Sequence, residues 1–179
     1  MKIPRLVISM TLMLLAVPAA TLSQEAGVHA SHNNDQVVKK LLAQAKEDSV
    51  KWMSGDSGPY AAHMAHTPQF TIFGPFGGPS PPGWTDDFAK RQVDAARPFQ
   101  GGTASIELVQ SYVSDNLIVL VTFERNQVKF AGSDGFQQWD LRVTQVYERV
   151  GGDWKVVHRH AEPLVVRRTL AQTLQLFHP

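Results

Sequence analysis

The 179-residue chain contains no cysteine. That absence excludes a disulfide scaffold, a thiolate zinc site, a thiol nucleophile and a lipidated N-terminal cysteine, so any metal would have to be held by His, Asp or Glu. Charge of one sign is also lacking, because 17 basic residues meet 16 acidic ones for a formal net charge of +1. Without a surplus of Lys and Arg there is no electrostatic footprint for phosphate, and no nucleic-acid partner is expected. Glycine and proline, by contrast, are plentiful at 13 and 11. They punctuate the chain into defined turns and exclude one long helical array. The length suits a single domain of ordinary size.

The longest apolar run stands at the N-terminus. Lys2 and Arg5 introduce an apolar stretch from Leu6 to Ala20 that ends in small residues, the layout of a secretory signal peptide. A membrane-spanning helix needs roughly 18 or more apolar residues, whereas this run is shorter and carries Pro18 near its end. Cleavage after Ala19, Ala20 or Ser23 fits equally well. The expected organisation is a signal peptide over 1–23, a flexible polar leader over 24–35, a folded domain over 36–166 and a tail over 167–179. Removing 1–23 takes away two cations and no acids, leaving 15 basic and 16 acidic residues. The mature chain is expected to be secreted or periplasmic, with no membrane attachment.

From Gln36 to Met53 most of the apolar positions Val38, Leu41, Leu42, Ala45, Val50, Trp52 and Met53 follow the 3, 4 spacing of one helix face, with Lys and Glu between them. This predicts an amphipathic helix capped by Asp35. Gly55 to Pro59 ends it, and Tyr60 to His66 has room for a short second helix. QFTIF, from Gln69 to Phe73, alternates as a strand does, and the Gly/Pro-rich run from Gly74 to Gly83 either shapes the backbone or covers a site. Thr85 caps a third helix that Pro98 stops. Beyond Gly101 and Gly102 the sequence turns to alternating strands over 104–113, 117–130, 136–150 and 154–166, joined by turns at 114–116, 132–135 and 151–152. Successive hairpins imply an antiparallel meander, and helices preceding a long sheet imply an α+β layout with helices covering one face. TLAQTLQLF in the tail predicts a further short helix.

Two segments, LRVTQVY and GGDWKVVHRHAEP, carry a recognisable pattern. Arg142, Thr144, Trp154, Val156, Val157, His158 and His160 stand where the SnoaL-like family of the nuclear transport factor two-like (ketosteroid isomerase-like) superfamily has R-x-T and W-x-V-V-H-x-H, and FTIFGPFGG is similar to that family's first strand and loop. The resemblance covers about Asp35 to Val165. It implies a cone-shaped curved antiparallel sheet wrapped over three N-terminal helices, a pocket at the open end, and a homodimer formed through the sheet. Relatives range from isomerases, cyclases and dehydratases to non-catalytic association domains, so the fold alone does not select an activity.

On a strand, His158, His160 and Glu162 project to one face while Val157, Arg159 and Ala161 project to the other. A three-residue loop with a bulge would pair Thr144 with His158, Arg142 with His160 and Asp140 with Glu162, gathering all six into one polar patch. A four-residue connection would instead set Val143 and Gln145 beside the histidines. The first register is preferred because the family's enzymes place pocket polar groups on these strands. In it, His158, His160, Arg142 and Glu162 are the candidate catalytic residues. Imidazole can take and give a proton near neutral pH, Arg can stabilise a developing oxyanion, and Glu162 can serve as base or orient His160. The competing account makes the motif a packing signature. Thr144, Asp140, Tyr60, Phe73 and Trp84 are the candidate ligand-binding residues for a small, partly apolar molecule. Neither a cofactor nor a metal is expected. His63 and His66, three apart on a short helix and without a fixing acid, read as surface residues, and Lys90, Arg91 and Arg97 read as a solvated helix face.

Overall fold

The computed structural model describes residues 20–78 and 80–177, with residues 20–32 described by their backbone only. The expected signal peptide lies almost wholly outside the described residues. The chain divides into two units, Met1–Asp35 and Gln36–Pro179, and the sheet and hydrophobic core belong to the second. Helix α1 runs from Ala20 to Met53. The stretch expected as a flexible leader therefore continues the helix, and Asp35 lies inside it instead of capping it. No proline stands between Pro18 and Pro59 to interrupt the hydrogen-bond ladder there.

Within the second unit, α1 buries Val38, Leu41, Ala45 and Met53 along one stripe, as the spacing requires. Helix α2 spans Gly58–His63, with Pro59 in its first turn. Helix α3 spans Asp86–Ala96. The Thr85 hydroxyl accepts the Phe88 N–H at 3.1 Å, and Asp86 and Asp87 occupy the positive end of the helix dipole.

The strands are β1 (Thr71–Phe73), β2 (Phe99–Val113), β3 (Leu117–Phe130), β4 (Gln137–Gln138), β5 (Leu141–Val150) and β6 (Asp153–Pro163). They form one open, curved sheet in the order β1-β6-β5-β3-β2, with β4 paired to β3. The meander is antiparallel as expected, but β1 runs parallel to β6, so the whole sheet is mixed. No hairpin constrains β1, because the chain leaves it for α3 and the rest of the sheet before β6 returns beside it. The strand expected over 136–150 is broken at Trp139 and Asp140. The Asp140 carboxylate accepts the Asn126 backbone N–H at 3.2 Å, and Trp139 N–H donates to the Asn126 carbonyl at 2.9 Å, replacing regular pairing.

The last hairpin adopts neither expected register. Gly151 and Gly152, with φ of 63° and 94°, make a two-residue turn that sets Val150 opposite Asp153. An extra residue is then absorbed between Val146 and Tyr147 on one strand and His158 and Val156 on the other. His158 consequently faces Val146, His160 faces Thr144, and Glu162 faces Arg142. The result lies two residues from the preferred register, an even shift that leaves the same residues sharing a face.

The inner face packs Ile118, Leu120, Tyr147 and Val156 against Val38 and Leu41 of α1 and Phe88 of α3. Phe99 and Val128 extend the core to Met53. Helix α4 (Leu170–Leu174) follows in the tail, with Leu170 and Leu174 exposed. Among the described residues no helix is long and apolar enough to cross a membrane.

Candidate ligand-binding cavity

Alternation along β3 sends Ile118, Leu120, Thr122, Glu124, Asn126 and Val128 to the inner face, and all six are buried. Glu124, 2 % exposed, therefore sits on a row that is otherwise apolar or uncharged. Its counter-charge comes from β6. Arg159 lies opposite Gln145 and reaches across the intervening β5, donating from Nη1 and Nη2 to the two Glu124 carboxylate oxygens at 2.8 and 3.0 Å. This fork-to-fork geometry is what a buried carboxylate needs in order to remain ionised. Burial on its own would depress the guanidinium pKa, but Glu124 and the neighbouring Tyr60 and Tyr147 raise it above its ordinary value, so Arg159 is a permanent cation.

These two residues line a cavity of about 610 Å³. Its walls are apolar and aromatic, with Trp52 and Met53 from α1, Tyr60 from α2, Phe88 from α3, and Phe99 and Leu141 from the sheet. The Gly/Pro-rich loop contributes Pro75, Phe76, Gly77 and Ser80, and Phe76 reaches to 5.5 Å from the Trp139 ring. Arg91, exposed and 5.7 Å above the Phe88 ring, stands on the lining as well. Burial pushes the Tyr60 phenol up to about 12, with Glu124 and Asp48 adding to the rise and Arg159 opposing it, so the hydroxyl keeps its proton. Asn126, 4 % exposed, also lines the cavity, and its Oδ1 has no hydrogen-bond partner among the described residues.

The row His158, His160 and Glu162 falls on the opposite face of the sheet. Arg159 and Ala161, assigned to the other side of the strand, are the buried ones. His158 Nδ1 meets the Thr71 hydroxyl at 2.7 Å, and the Phe73 ring stands edge-on to His158 and His160 at 5.9 and 5.7 Å. Burial, reinforced by His160, lowers the His158 pKa. Arg142 pairs with Glu162 at 2.9 Å with both side chains half exposed, and Thr144 lies opposite His160. Asp140 is not brought to Glu162. It accepts from Arg125 at 3.1 Å and from Gln138 at 2.8 Å, and these bonds with that from Asn126 outweigh burial and lower its pKa. Of the candidate ligand-binding residues, Tyr60 lines the cavity. Trp84 instead stacks on His66 at 4.1 Å and packs behind Phe88.

His63 does have an acid beside it. Its Nδ1 lies 2.8 and 3.0 Å from the oxygens of Asp48, a carboxylate 5 % exposed on α1. Burial raises the Asp48 pKa against the lowering effect of His63. Among the described residues no group of three or more His, Asp or Glu could hold a metal ion.

No protein-family profile matches the chain, and no curated protein matches it. Solved structures do. A nuclear transport factor 2-like superfamily protein from Salmonella enterica superposes with a TM-score of 0.61 at 15 % identity, covering 76 % of this chain and 97 % of that one. A protein from Streptomyces avermitilis described as a candidate dehydratase of the same family gives 0.61 at 13 % identity, covering 74 % and 99 %. The CamKII hub homology domain of Chlamydomonas reinhardtii gives 0.56 at 22 % identity, covering 72 % and 99 %.

The chain has the nuclear transport factor 2-like fold. At these identities the likeness is one of fold, and the chemistry has to be read from the cavity. Sequence reasoning missed Glu124, Asn126 and Arg159. The available signal was an acid in phase with Ile118, Leu120 and Val128, since a buried carboxylate demands a basic partner.

Proposed function

We propose that this protein binds a small, partly apolar molecule in the cavity between its helices and the inner face of its sheet. The observation that carries this reading is the cavity itself: about 610 Å³, walled by aromatic side chains and floored by a neutralised ion pair. Ligand sites commonly combine apolar walls with a few fixed polar groups. The titratable residues on the described lining are Tyr60, Arg91, Glu124 and Arg159. If the bound molecule is turned over by proton transfer, Glu124 is the carboxylate in reach and Arg159 the cation that would stabilise charge as it develops. The test is native mass spectrometry of purified protein followed by identification of the released compounds. A stoichiometric small organic molecule supports the reading, and protein that is empty after mild purification and takes up no apolar probe overturns it.

A second reading, self-association, draws on the outer face. There Tyr112, Val119, Val146 and His158 form one cross-strand row, and Val121, Thr144, His160 and Phe73 form the next. The ion pairs Arg142–Glu162 and Arg125–Glu107 stand at their edge. An apolar centre with a charged rim is interface anatomy, and the Chlamydomonas structure of this fold is named a hub homology domain. We assign the His158 and His160 row to this surface, as the face of a homodimer. A Val121→Arg variant that remains the same size as the parent by light scattering would count against it. We further propose that the chain is exported through residues 1–23. N-terminal sequencing of the mature protein tests this, and an intact Met1 on exported material would refute it.

A further inference from the structure

We infer that the ligand is an amphipathic carboxylate whose apolar body enters the cavity while its carboxylate stays at the mouth, paired with Arg91. This rests on the cavity reading above and names the chemical class it selects. Lys90, Arg91 and Arg97 are close in sequence, but the helix separates them. Phe88, Arg91, Gln92 and Ala95 recur at the spacing of one helix stripe, and all four line the cavity. Lys90, Asp94 and Arg97 form the neighbouring stripe, off the lining, where Asp94 meets Lys90 at 3.6 Å and Arg97 at 2.9 Å. That acid is spent on its own stripe, and Arg91 makes no ion pair among the described residues.

The charges on the described lining are Glu124, Arg159 and Arg91. Glu124 and Arg159, 2 % and 8 % exposed, cancel each other at the floor through paired contacts of 2.8 and 3.0 Å. A ligand charge carried to that depth would lose its hydration without gaining a counter-ion. Arg91 is left as the one unmatched charge on the described lining, and it is exposed, so it stands at the mouth. Its guanidinium lies over the Phe88 ring, 5.7 Å from the centroid, a cation–π contact that holds it against the cavity wall. That contact leaves the N–H donors unspent, and none of them meets a protein acceptor among the described residues. A planar donor fork matches the two oxygens of a carboxylate. Apolar walls, a floor without net charge and a cation at the rim therefore select a molecule with one apolar and one anionic end.

Three probes with a common aromatic body separate these requirements: 1-pyrenebutyrate, 1-pyrenebutanol and 1-pyrenebutylammonium. Trp52 and Trp139 on the lining report occupancy by energy transfer to the pyrene. Without a cation at the mouth, the better hydrated carboxylate is the poorer ligand. In the parent protein at low ionic strength the carboxylate should instead bind about fivefold more tightly than the alcohol, and the ammonium should bind most weakly. The preference should fade at about 1 M salt, where the Debye length is about 3 Å. Arg91→Gln should remove it and leave alcohol affinity unchanged. Lys90→Gln deletes the same charge one residue away, off the lining, and should retain it. Carboxylate binding no tighter than that of the alcohol in the parent protein, a preference that survives Arg91→Gln, or an equal loss in both variants overturns the inference and leaves the cavity reading standing. Absence of energy transfer from every probe overturns both. Both substituted residues are exposed, and the parent comparison needs neither variant to fold.

Discussion

At the scale of single residues the interior holds charges and polar groups whose worth depends on their partners. Glu124 and Arg159 satisfy each other at 2.8 and 3.0 Å, so removing one strands the other in the core. Arg159→Met is expected to lower the unfolding free energy by about 3–5 kcal/mol, and adding Glu124→Leu should restore most of the loss. Urea unfolding of both variants checks this, and a double variant no better than the single one would mean that the pair does more than cancel its own charge. Thr122 tests the converse. Its Oγ1 is buried without a partner among the described residues, it faces Val143 on the neighbouring strand, and it does not stand on the cavity lining. Thr122→Val keeps the shape and removes the unpaired hydroxyl, so it is expected to raise stability by up to about 1 kcal/mol with probe affinity unchanged.

At the scale of elements, α3 links stability to the site. It contributes Phe88, Arg91, Gln92 and Ala95 to the cavity, and its start is held by the Thr85 hydroxyl. Thr85→Ala should cost about 1 kcal/mol in thermal or urea unfolding and weaken probe binding. A loss of stability with unaltered affinity would show that the first turn of α3 does not position the wall. This helix was readable in the sequence because cap, acidic first turn and terminating Pro98 all agree, and the β2–β3 hairpin was readable because both of its strands alternate. The β5–β6 register was not. It depends on how Gly151 and Gly152 turn and on one residue absorbed near Val157, and such local choices differ by little energy and leave no periodic mark. Nor does alternation say which side of β6 the helices cover. His158, His160 and Glu162 look like chemistry and Val157, Arg159 and Ala161 look like core. The core side nevertheless holds the cavity arginine, because an acid four positions beyond Leu120 on β3 waits for it.

At the scale of the whole molecule, the two faces of the sheet divide the work proposed here: the inner face holds ligand and the outer face meets a second copy. The outer face has titratable groups at its centre, so self-association should depend on pH. His158 already binds its proton less readily than an ordinary histidine of pKa 6.5, through burial and the neighbouring His160. Covering the face would desolvate the His158 ring further, so a free chain would take up a proton there that an associated one refuses. A group with a lowered pKa in the associated form contributes fully above its ordinary value and loses that contribution as pH falls through the lowered one. Arg142 and Arg125 on the same face add positive charge that protonated imidazoles would oppose, while Glu162 and Glu107 are already paired with them. Sedimentation velocity should therefore show association at about pH 7.5 that weakens toward about pH 5. Replacing His158 and His160 together by Gln should flatten that dependence without abolishing association at the higher pH. If the parent chain associates equally at both values, the histidine row does not lie in the interface, and a contact through another surface would have to be sought.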